Sequence, residues 1–293
     1  MKKISMICLL VAWVLSASAT TPVIEKDGET KYCLKTGDLS IVVDINGGKV
    51  LSFKCGDKEV ISQSRWPETF GSTFWTSPQK EWNWPPVPEY DKQAYTVEQK
   101  ADRLVMTSNV SPRLGYRIQK EFASDDAAHA FVITYSIINE SEETRSVAPW
   151  EITRVPNGGV IFFDAPVDSI RPADIMTFQS AHGAAWYEAD EAPQNRKINA
   201  DGRGWLAYTG NGLLLVKQFQ DLNASQPAPE EAEIQVYVNR GKTYIELESQ
   251  GAYTELQPGE RLSWTVRWQL VPCDLDAKPS AELLAKVKGM LVP

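Results

Sequence analysis

Histidine is scarce in this 293-residue sequence, which contains only His129 and His182. Cysteine is scarce as well, and beyond the N-terminal apolar stretch the chain has only Cys33, Cys55 and Cys273. An odd number of thiols allows one disulfide at most, with the pairing left open. The spacing of these residues matches no metal-binding motif, so we predict no metal site and no cofactor. Scattered carbonyl and carboxylate oxygens could still bind calcium without such a motif.

The sequence also lacks a basic surplus and a long apolar segment. Its formal net charge is −8, which argues against nucleic acid or an anionic membrane surface as a partner. The one long apolar run, residues 4–15, is too short to cross a bilayer comfortably. It follows Lys2 and Lys3 and precedes small residues that end at Ala19, which is the pattern of a secretory signal peptide. We therefore predict removal of residues 1–19, which changes the charge to −10 because both lysines are lost. The product would be exported, periplasmic or extracellular, without a membrane anchor.

Short runs of alternating apolar and polar residues dominate the rest of the chain, which is typical of β-strands. Examples are the runs at 130–139, 204–219 and 262–270. Helical spacing appears only near the C-terminus, in a run that ends at Leu291. Many short strands with glycine-rich turns and one terminal helix predict an all-β sandwich or barrel. No linker or repeat divides the chain, so we predict a single domain over residues 20–293.

Tryptophan is abundant by contrast, and three of the ten tryptophans lie within "GSTFWTSPQKEWNWPP", residues 71–86. They are Trp75, Trp82 and Trp84. Prolines at this density suit neither a helix interior nor a central strand, so we predict an irregular loop. Its rings either cap an open end of the sandwich or form a platform for a ligand, because aromatic side chains at the edge of a cleft commonly anchor ligands.

Two carboxylates share one face of the predicted strand "YIELESQ", residues 244–250. Side chains alternate along a strand, so Tyr244, Glu246, Glu248 and Gln250 point to the same side. The Cβ atoms of the two glutamates then lie about 7 Å apart. On an open surface water screens their repulsion, whereas in a cleft the repulsion raises the pKa of one carboxyl and makes it a general acid or base. The spacing alone leaves both interpretations open.

The stretch "IELESQ" resembles the motif of the aldose 1-epimerases, or galactose mutarotases, in which a Leu-Glu-x-Gln run on a late strand carries the catalytic base. Residues 45–53, 132–155 and 251–270 resemble, in the same order, the opening hairpin, central strands and last strands of that family. The resemblance implies a supersandwich of two large antiparallel sheets, a sugar bound across a concave sheet, and Glu248 as the general base. A closer likeness is to a family of uncharacterised secreted bacterial proteins that share the mutarotase-like fold and a Trp-x-Trp-Pro-Pro loop.

The histidines of the mutarotases have no counterpart at the matching positions of this chain. Where their general acid follows an Asn-containing turn, this chain has Trp150 and Glu151. We therefore consider two acids: Glu151, if burial beside Trp150 raises its pKa, and His182 in a predicted loop. The alternative for Glu151 is that its stretch is simply a structural strand with Trp150 in the core. Arg65 lies where the family uses an arginine to hold sugar hydroxyls, and a surface arginine is the alternative.

These motifs support three functional hypotheses. The first is a sugar 1-epimerase, an isomerase with Glu248 as base and Glu151 or His182 as acid. The second is a non-catalytic carbohydrate-binding protein. The third, a lyase or hydrolase of polysaccharides, ranks last because no Tyr/His pair stands out. In each case the ligand is a sugar or oligosaccharide. The predicted binding residues are Arg65, Trp75, Trp82, Trp84, Trp150, Tyr244, Glu246 and Gln250.

Overall fold

The computed structural model describes residues 21–64 and 69–292, so the predicted signal peptide lies outside the described residues. The first strands are β1 Val23–Asp27, β2 Lys31–Thr36, β3 Leu39–Asp44, β4 Lys49–Cys55, β5 Lys58–Glu59, β6 Ser72–Ser77, β7 Thr96–Gln99, β8 Arg103–Thr107, β9 Tyr116–Asp125 and β10 Ala130–Asn139. The remaining strands are β11 Arg145–Pro156, β12 Val160–Phe163, β13 Gln179–Ala181, β14 Ala184–Glu188, β15 Arg196–Ala200, β16 Trp205–Gly210, β17 Leu213–Gln218, β18 Ile234–Val238, β19 Tyr244–Gln250, β20 Thr254–Leu256 and β21 Arg261–Pro272. The helices are α1 Pro88–Asp91 and α2 Ala281–Met290, with 3-10 turns at Gln79–Glu81 and Val167–Ser169.

The strands form two large antiparallel sheets. The first sheet has the order β1-β2-β3-β4-β6-β11-β19-β18-β15, with β5 paired to β4 and β20 paired to β11. The second sheet has the order β13-β14-β12-β16-β17-β21-β10-β9-β8-β7. The all-β class and the two-sheet architecture predicted from the sequence are therefore confirmed.

The main core lies between the two sheets and follows from the alternation along each strand. On β21 the side chains of Trp264, Val266 and Trp268 are buried in this core. Phe74 of β6 stacks on Tyr135 of β10 with ring centroids 4.4 Å apart, which joins the two sheets directly. Burying an apolar side chain of this size stabilises the fold by about 1.5–3 kcal/mol, so the interdigitated inner faces supply most of the adhesion between the sheets.

A smaller apolar cluster lies on the outer face of the second sheet, beneath α2. The helix begins after Ser280, whose side chain accepts a hydrogen bond from the Leu283 N–H at 3.1 Å and so satisfies one free N–H of the first turn. Leu283, Leu284 and Val287 then pack into this cluster. The predicted C-terminal helix is confirmed. Within the described ranges, no helix is long and apolar enough to cross a membrane.

The prediction of an irregular loop over residues 71–86 is wrong for its first half. Ser72–Ser77 forms β6, which lies between β4 and β11 in the interior of the first sheet and is buried along its whole length. The residues from Ser72 to Ser77 are aromatic, β-branched or serine, which suits a strand. The first proline of the segment is Pro78, where the strand has ended and a 3-10 turn begins. The tryptophans are thus divided between a central strand and the segment after it.

Candidate functional site

A pocket of about 620 Å³ lies on the outer face of the first sheet. Its floor is formed where β11, β19, β18 and β15 run side by side, and its wall is formed by the end of β6 and the segment that follows. The lining residues are Thr69, Trp75, Gln79, Trp84, Trp150, Asn195, Lys197, Tyr237, Asn239, Arg240, Tyr244, Glu246 and Glu248.

The strand β19 places both glutamates in this pocket through its alternation. Ile245 and Leu247 point into the core between the sheets, whereas Tyr244, Glu246 and Glu248 line the pocket. Only 8% of the surface of Glu246 and 1% of that of Glu248 is exposed to solvent. The open-surface interpretation of this pair is therefore wrong, because the neighbouring strands and the aromatic wall cover both carboxylates.

The carboxylate of Glu248 is held by two donors on one oxygen. The Trp150 indole N–H donates to Oε2 at 2.8 Å, and the Lys197 ammonium donates to the same oxygen at 2.9 Å. Among residues 21–64 and 69–292, no hydrogen bond to Oε1 of Glu248 is found. Because Glu248 lines the pocket, this second oxygen can accept a hydrogen bond from a ligand hydroxyl.

The Glu246 carboxylate is two residues away on the same face and has a different environment. Its Oε1 forms an ion pair with the Arg154 guanidinium at 2.8 Å. Burial raises the pKa of Glu246 to about 7; Arg154 opposes this rise and the nearby Glu248 carboxylate adds to it. Arg154 in turn lies between the rings of Trp75 and Tyr244, 5.9 and 5.8 Å from their centroids. A carboxyl group with such a pKa can both give and take a proton near neutrality.

The tryptophans form a continuous aromatic cluster at the pocket wall. Trp75 contacts Trp150 edge to face at 5.3 Å, and Trp84 packs edge to face on Trp75 at 6.2 Å. Trp84 keeps 53% of its surface exposed although it lines the pocket. Trp82 is buried and does not line the pocket, since its indole N–H donates to the backbone oxygen of Thr76 at 2.8 Å. The segment therefore caps the sheet with one ring and presents others to the pocket.

The orientation of Trp75 is fixed from behind by α1. Its indole N–H donates to Oδ1 of Asp91 at 3.0 Å, and the other carboxylate oxygen of Asp91 pairs with Lys49 at 3.0 Å. Asp91 comes this close because the β3–β4 turn contains Gly47, where a Cβ atom would lie 2.3 Å from the Asp91 backbone oxygen. The turn glycine thus permits the contact that positions a pocket side chain.

Gln250 lies on the pocket face of the first sheet but does not line the pocket. Its amide N–H donates to Glu231 at 3.2 Å, and Glu231 also accepts from the Gln79 backbone N–H at 3.4 Å. Glu231 belongs to the proline-rich loop before β18 and covers Gln250 from above. The predicted contact of Gln250 with a ligand is therefore replaced by a contact with this loop.

Two of the predicted acids lie away from the pocket. Glu151 points from β11 into the core, where it is completely buried and pairs with Lys217 of the second sheet at 2.7 Å. The alternation of the strand accounts for this, because Trp150 and Glu151 must face opposite sides. His182 is exposed in the turn between β13 and β14, in the second sheet. Neither residue lines the pocket. Arg65 lies outside the described residues.

Sequence reasoning missed several pocket residues, above all Lys197, Tyr237 and Arg240. Tyr237 could have been found, because alternation in "EIQVYVN" puts it opposite the core-facing Val236 and Val238. Lys197 lies on β15, a short and mostly polar strand whose sequence carries no strand signal. Only its contact with Glu248, 51 residues away in the chain, reveals its place in the pocket.

Comparison with known proteins places this geometry in a family and a fold. The profile of a family described as "Domain of unknown function (DUF4380)" matches residues 49–271. No curated protein sequence matches the chain at a significant level. Solved structures do match, and those compared below are galactose mutarotase-like proteins and their relatives.

A galactose mutarotase related enzyme from Lactobacillus acidophilus is similar over 85% of this chain and 100% of its own, with a TM-score of 0.59 and 10% identity. A galactose mutarotase-like protein from Lactobacillus casei ATCC 334 covers 82% of this chain and 100% of its own, with a TM-score of 0.56 and 9% identity. Galactose 1-epimerase from Lactobacillus acidophilus NCFM covers 86% and 98%, with a TM-score of 0.52 and 11% identity. At such identities the likeness establishes the mutarotase-like fold alone.

Proposed function

The chain belongs to the DUF4380 family, and from that premise we propose that it is a carbohydrate-binding protein whose sugar occupies the pocket over β19. The observation that carries the proposal is the hydrogen bonding of the Glu248 carboxylate. One carboxylate oxygen is fixed by Trp150 and Lys197, the other has no hydrogen-bond partner among the described residues, and Glu248 lines a pocket with an exposed aromatic wall. A sugar offers both matching features, since its hydroxyls donate hydrogen bonds and its C–H faces pack on aromatic rings.

The size and composition of the pocket support the same class of ligand. Its volume of about 620 Å³ lies within the roughly 300–1,000 Å³ that is usual for small-molecule sites. Apolar surface comes from the tryptophans and from Tyr237 and Tyr244, while amide groups come from Asn195 and Asn239. Aromatic faces with a few orienting polar groups are what a polyhydroxylated ring requires for specificity.

Binding is tested with the full chain against a panel of neutral and acidic mono- and disaccharides, by calorimetry and ligand-observed NMR. Glu248→Gln keeps the shape and removes the charge, and should weaken binding on the order of 10-fold or more, since a hydrogen bond to a charged group contributes about 1.5–3 kcal/mol. Glu188→Gln, an exposed glutamate on β14 in the second sheet, is the matched control. If no sugar in the panel binds, or if both variants bind like the wild type, the proposal is wrong.

A second candidate function is anomer exchange, and the pKa of Glu246 favours it. Mutarotation requires proton removal from the anomeric hydroxyl and protonation of the ring oxygen. Glu248 would take the first proton through its free oxygen, and Glu246, with a pKa near 7, would supply the second. No histidine lines the pocket within the described part of the chain. The two glutamates would therefore replace the Glu/His pair that the family resemblance implies.

Exchange is measured by following α- and β-anomer signals of each bound sugar by NMR. An acceleration that is lost in both Glu248→Gln and Glu246→Gln supports catalysis. Binding without acceleration leaves the carbohydrate-binding function and removes the epimerase. The polysaccharide lyase or hydrolase hypothesis gains no support, because the pocket tyrosines, Tyr237 and Tyr244, have no histidine beside them among the lining residues.

Export remains part of the proposal, with residues 1–19 as the signal peptide. The basic start, the apolar run and the small residues before Ala19 support it. The mass of the protein recovered from the periplasm or medium of an expressing bacterium tests it. A product that keeps residues 1–19 would contradict cleavage at this point.

A further inference from the structure

Three side chains of different chemistry converge at one end of the sandwich, away from the pocket. Asp38 lies in the turn between β2 and β3, Cys55 is the last residue of β4, and His129 lies in the turn between β9 and β10. The His129 Nε2 is 3.1 Å from Oδ1 of Asp38, and the Cys55 Sγ is 3.2 Å from Oδ2. None of the three lines the pocket described above.

These atoms lie close enough together to become the ligands of a tetrahedral zinc ion. The three ligand atoms all lie within 4.8 Å of one another. With Zn–S of about 2.3 Å and Zn–N or Zn–O of about 2.0 Å, tetrahedral geometry separates neighbouring ligand atoms by roughly 3.3–3.5 Å. The contacts at 3.1 and 3.2 Å are made by different oxygens of Asp38. One of these oxygens would bind the ion, and side-chain rotations would bring Sγ and Nε2, which already lie within 4.8 Å of each other, to the tetrahedral separation. We propose that Asp38, Cys55 and His129 form a Zn²⁺ site.

The donor set favours zinc over the harder cations. A thiolate, an imidazole and a carboxylate match Zn²⁺, whereas Ca²⁺ and Mg²⁺ prefer oxygen ligands alone. Three protein ligands leave a fourth position for water. That position faces solvent, because the side chains of Asp38 and His129 are 51% and 42% exposed while Cys55 is buried beneath them.

The same arrangement argues against a cysteine nucleophile. In a nucleophilic triad the imidazole lies between the thiol and the carboxylate, so that it can take the thiol proton. Here the Asp38 carboxylate lies between them and accepts from the thiol itself. Burial, with help from Asp38, raises the pKa of the Cys55 thiol to about 11. The thiol is therefore protonated without the metal, and Zn²⁺ would displace that proton to solvent as the S–Zn bond forms.

The site would connect the two sheets. Asp38 and Cys55 belong to the first sheet and His129 to a turn of the second, so one ion would link them at the sandwich end. The backbone supports the cluster, since the Gly56 N–H donates to the Asp38 carbonyl at 2.8 Å and fixes the turn against β4. The sequence could not reveal this site, because its residues are 17 and 74 positions apart and match no motif.

The test uses Co²⁺ in place of Zn²⁺ with the full, untagged chain and reduced thiols. We expect one Co²⁺ per chain, with a sulfur-to-cobalt charge-transfer band in the near ultraviolet, and displacement by Zn²⁺. Cys55→Ser should lose the band, while Cys33→Ser, a control at another free thiol, should keep it. His129→Asn should weaken binding by more than roughly 100-fold, because replacing even the groups that orient metal ligands costs about 10- to 100-fold. Asparagine tolerates the positive φ of 48° at this position.

Zinc should also raise the melting temperature of the wild type in proportion to the logarithm of its concentration, and not that of His129→Asn. Equal circular dichroism spectra of the metal-free variants would establish that each is folded. Weak cobalt binding without the sulfur band, a band that survives in Cys55→Ser, or a melting temperature that zinc leaves unchanged would each overturn the proposal. The sugar assays play no part in these readouts, so the two proposals fail independently.

Discussion

The indole N–H of Trp150 meets the carboxylate of Glu248 at 2.8 Å between the neighbouring strands β11 and β19. The two residues are diagonal neighbours on one face, because Trp150 is directly opposite Gln250. The Lys197 ammonium lies over the same indole ring, 4.4 Å from the ring centroid. One side chain thus orients the carboxylate, supports the cation beside it and forms part of the pocket wall.

Trp150→Phe separates these roles, because it keeps an aromatic ring and removes the N–H. We expect sugar affinity to fall about 2- to 10-fold, because Glu248 loses the hydrogen bond that orients it and the sugar must then order its carboxylate, which costs about 0.5–1.5 kcal/mol. Calorimetric titration measures this. Trp186→Phe is the control, because Trp186 also donates its N–H, to Ala181 in the second sheet, far from the pocket. Equal affinities of Trp150→Phe and wild type would show that the indole N–H does not orient Glu248.

Trp84→Ala should weaken sugar binding by about 3- to 10-fold, because one aromatic contact is worth about 0.5–1.5 kcal/mol. The melting temperature should hardly change, since an exposed side chain is being removed. Val23→Ala, at the other exposed large apolar side chain, should alter neither quantity. A large loss of stability in Trp84→Ala would instead mean that this ring is mainly structural.

Asp91→Ala should destabilise the protein by about 3–5 kcal/mol, because it leaves the Lys49 ammonium and the Trp75 N–H without their buried partner. Urea denaturation measures the change. Asp102→Ala removes a carboxylate from an exposed ion pair with Arg103, and should leave the stability nearly unchanged because water screens such a pair. Similar losses in the two variants would contradict the role of Asp91 in holding the pocket wall.

Lys217→Met should also cost about 3–5 kcal/mol, because it leaves the completely buried Glu151 carboxylate without its cation. Adding Glu151→Leu should recover most of that loss, since an apolar pair can replace a buried ion pair. The folded double variant should bind sugar like the wild type, as Glu151 faces away from the pocket. Loss of sugar binding in a stable double variant would restore Glu151 as a functional residue.

The raised pKa of Glu246 predicts a specific pH dependence of stability. The folded state holds this proton up to a pH of about 7, whereas the unfolded chain releases it near 4.5. The folded state therefore binds more protons between these values, so the contribution of Glu246 to stability is full below pH 4.5 and falls as pH rises to 7. The free energy of unfolding of Glu246→Gln relative to wild type should therefore increase from pH 4.5 to 7, by up to about 3 kcal/mol.

Urea denaturation of both proteins across this range measures the difference. The attraction of Arg154 is already contained in the folded-state pKa of Glu246. The remaining difference, between a neutral glutamic acid and a glutamine at this site, adds an offset that hardly depends on pH. Glu233, whose pKa burial also raises to about 7, is present in both proteins and cancels. A constant difference between the two proteins would mean that Glu246 is already charged at pH 4.5 in the folded state.

The sequence contained enough to predict the strands and the terminal helix, because each depends on local alternation and turn residues. The two large sheets were implied by the resemblance to the mutarotases, since alternation alone left a sandwich and a barrel open. The sequence also placed Glu246 and Glu248 on one face of β19. It could not indicate that this face is covered, since the cover comes from β6 and the segment after it. The prolines that follow Ser77 led to the prediction of a loop for the whole segment, although the residues before them form the central strand β6.

The charged partners were beyond sequence reasoning for a different reason. Lys197 and Lys217 each form an ion pair with a carboxylate that is distant in the sequence. No neighbouring residue in the chain indicates which carboxylate that is. Alternation along β11 does place Glu151 and Arg154 on opposite faces of the sheet, and Arg154 pairs there with Glu246 of the pocket face. The same rule, applied to Trp150 and Glu151, shows that only one of those two can reach the pocket.

The alternation along β19 also makes the pocket a reporter of how the chain has paired its strands. A slip of one residue against β11 would send Ile245 and Leu247 to the outer face and push Glu246 and Glu248 between the sheets. The misregistered protein would thus lose its ligand site and acquire two uncompensated charges in its interior at once. The number of ligand-binding sites per chain therefore measures the fraction of molecules with correctly paired strands. Circular dichroism would report only the total amount of β-structure.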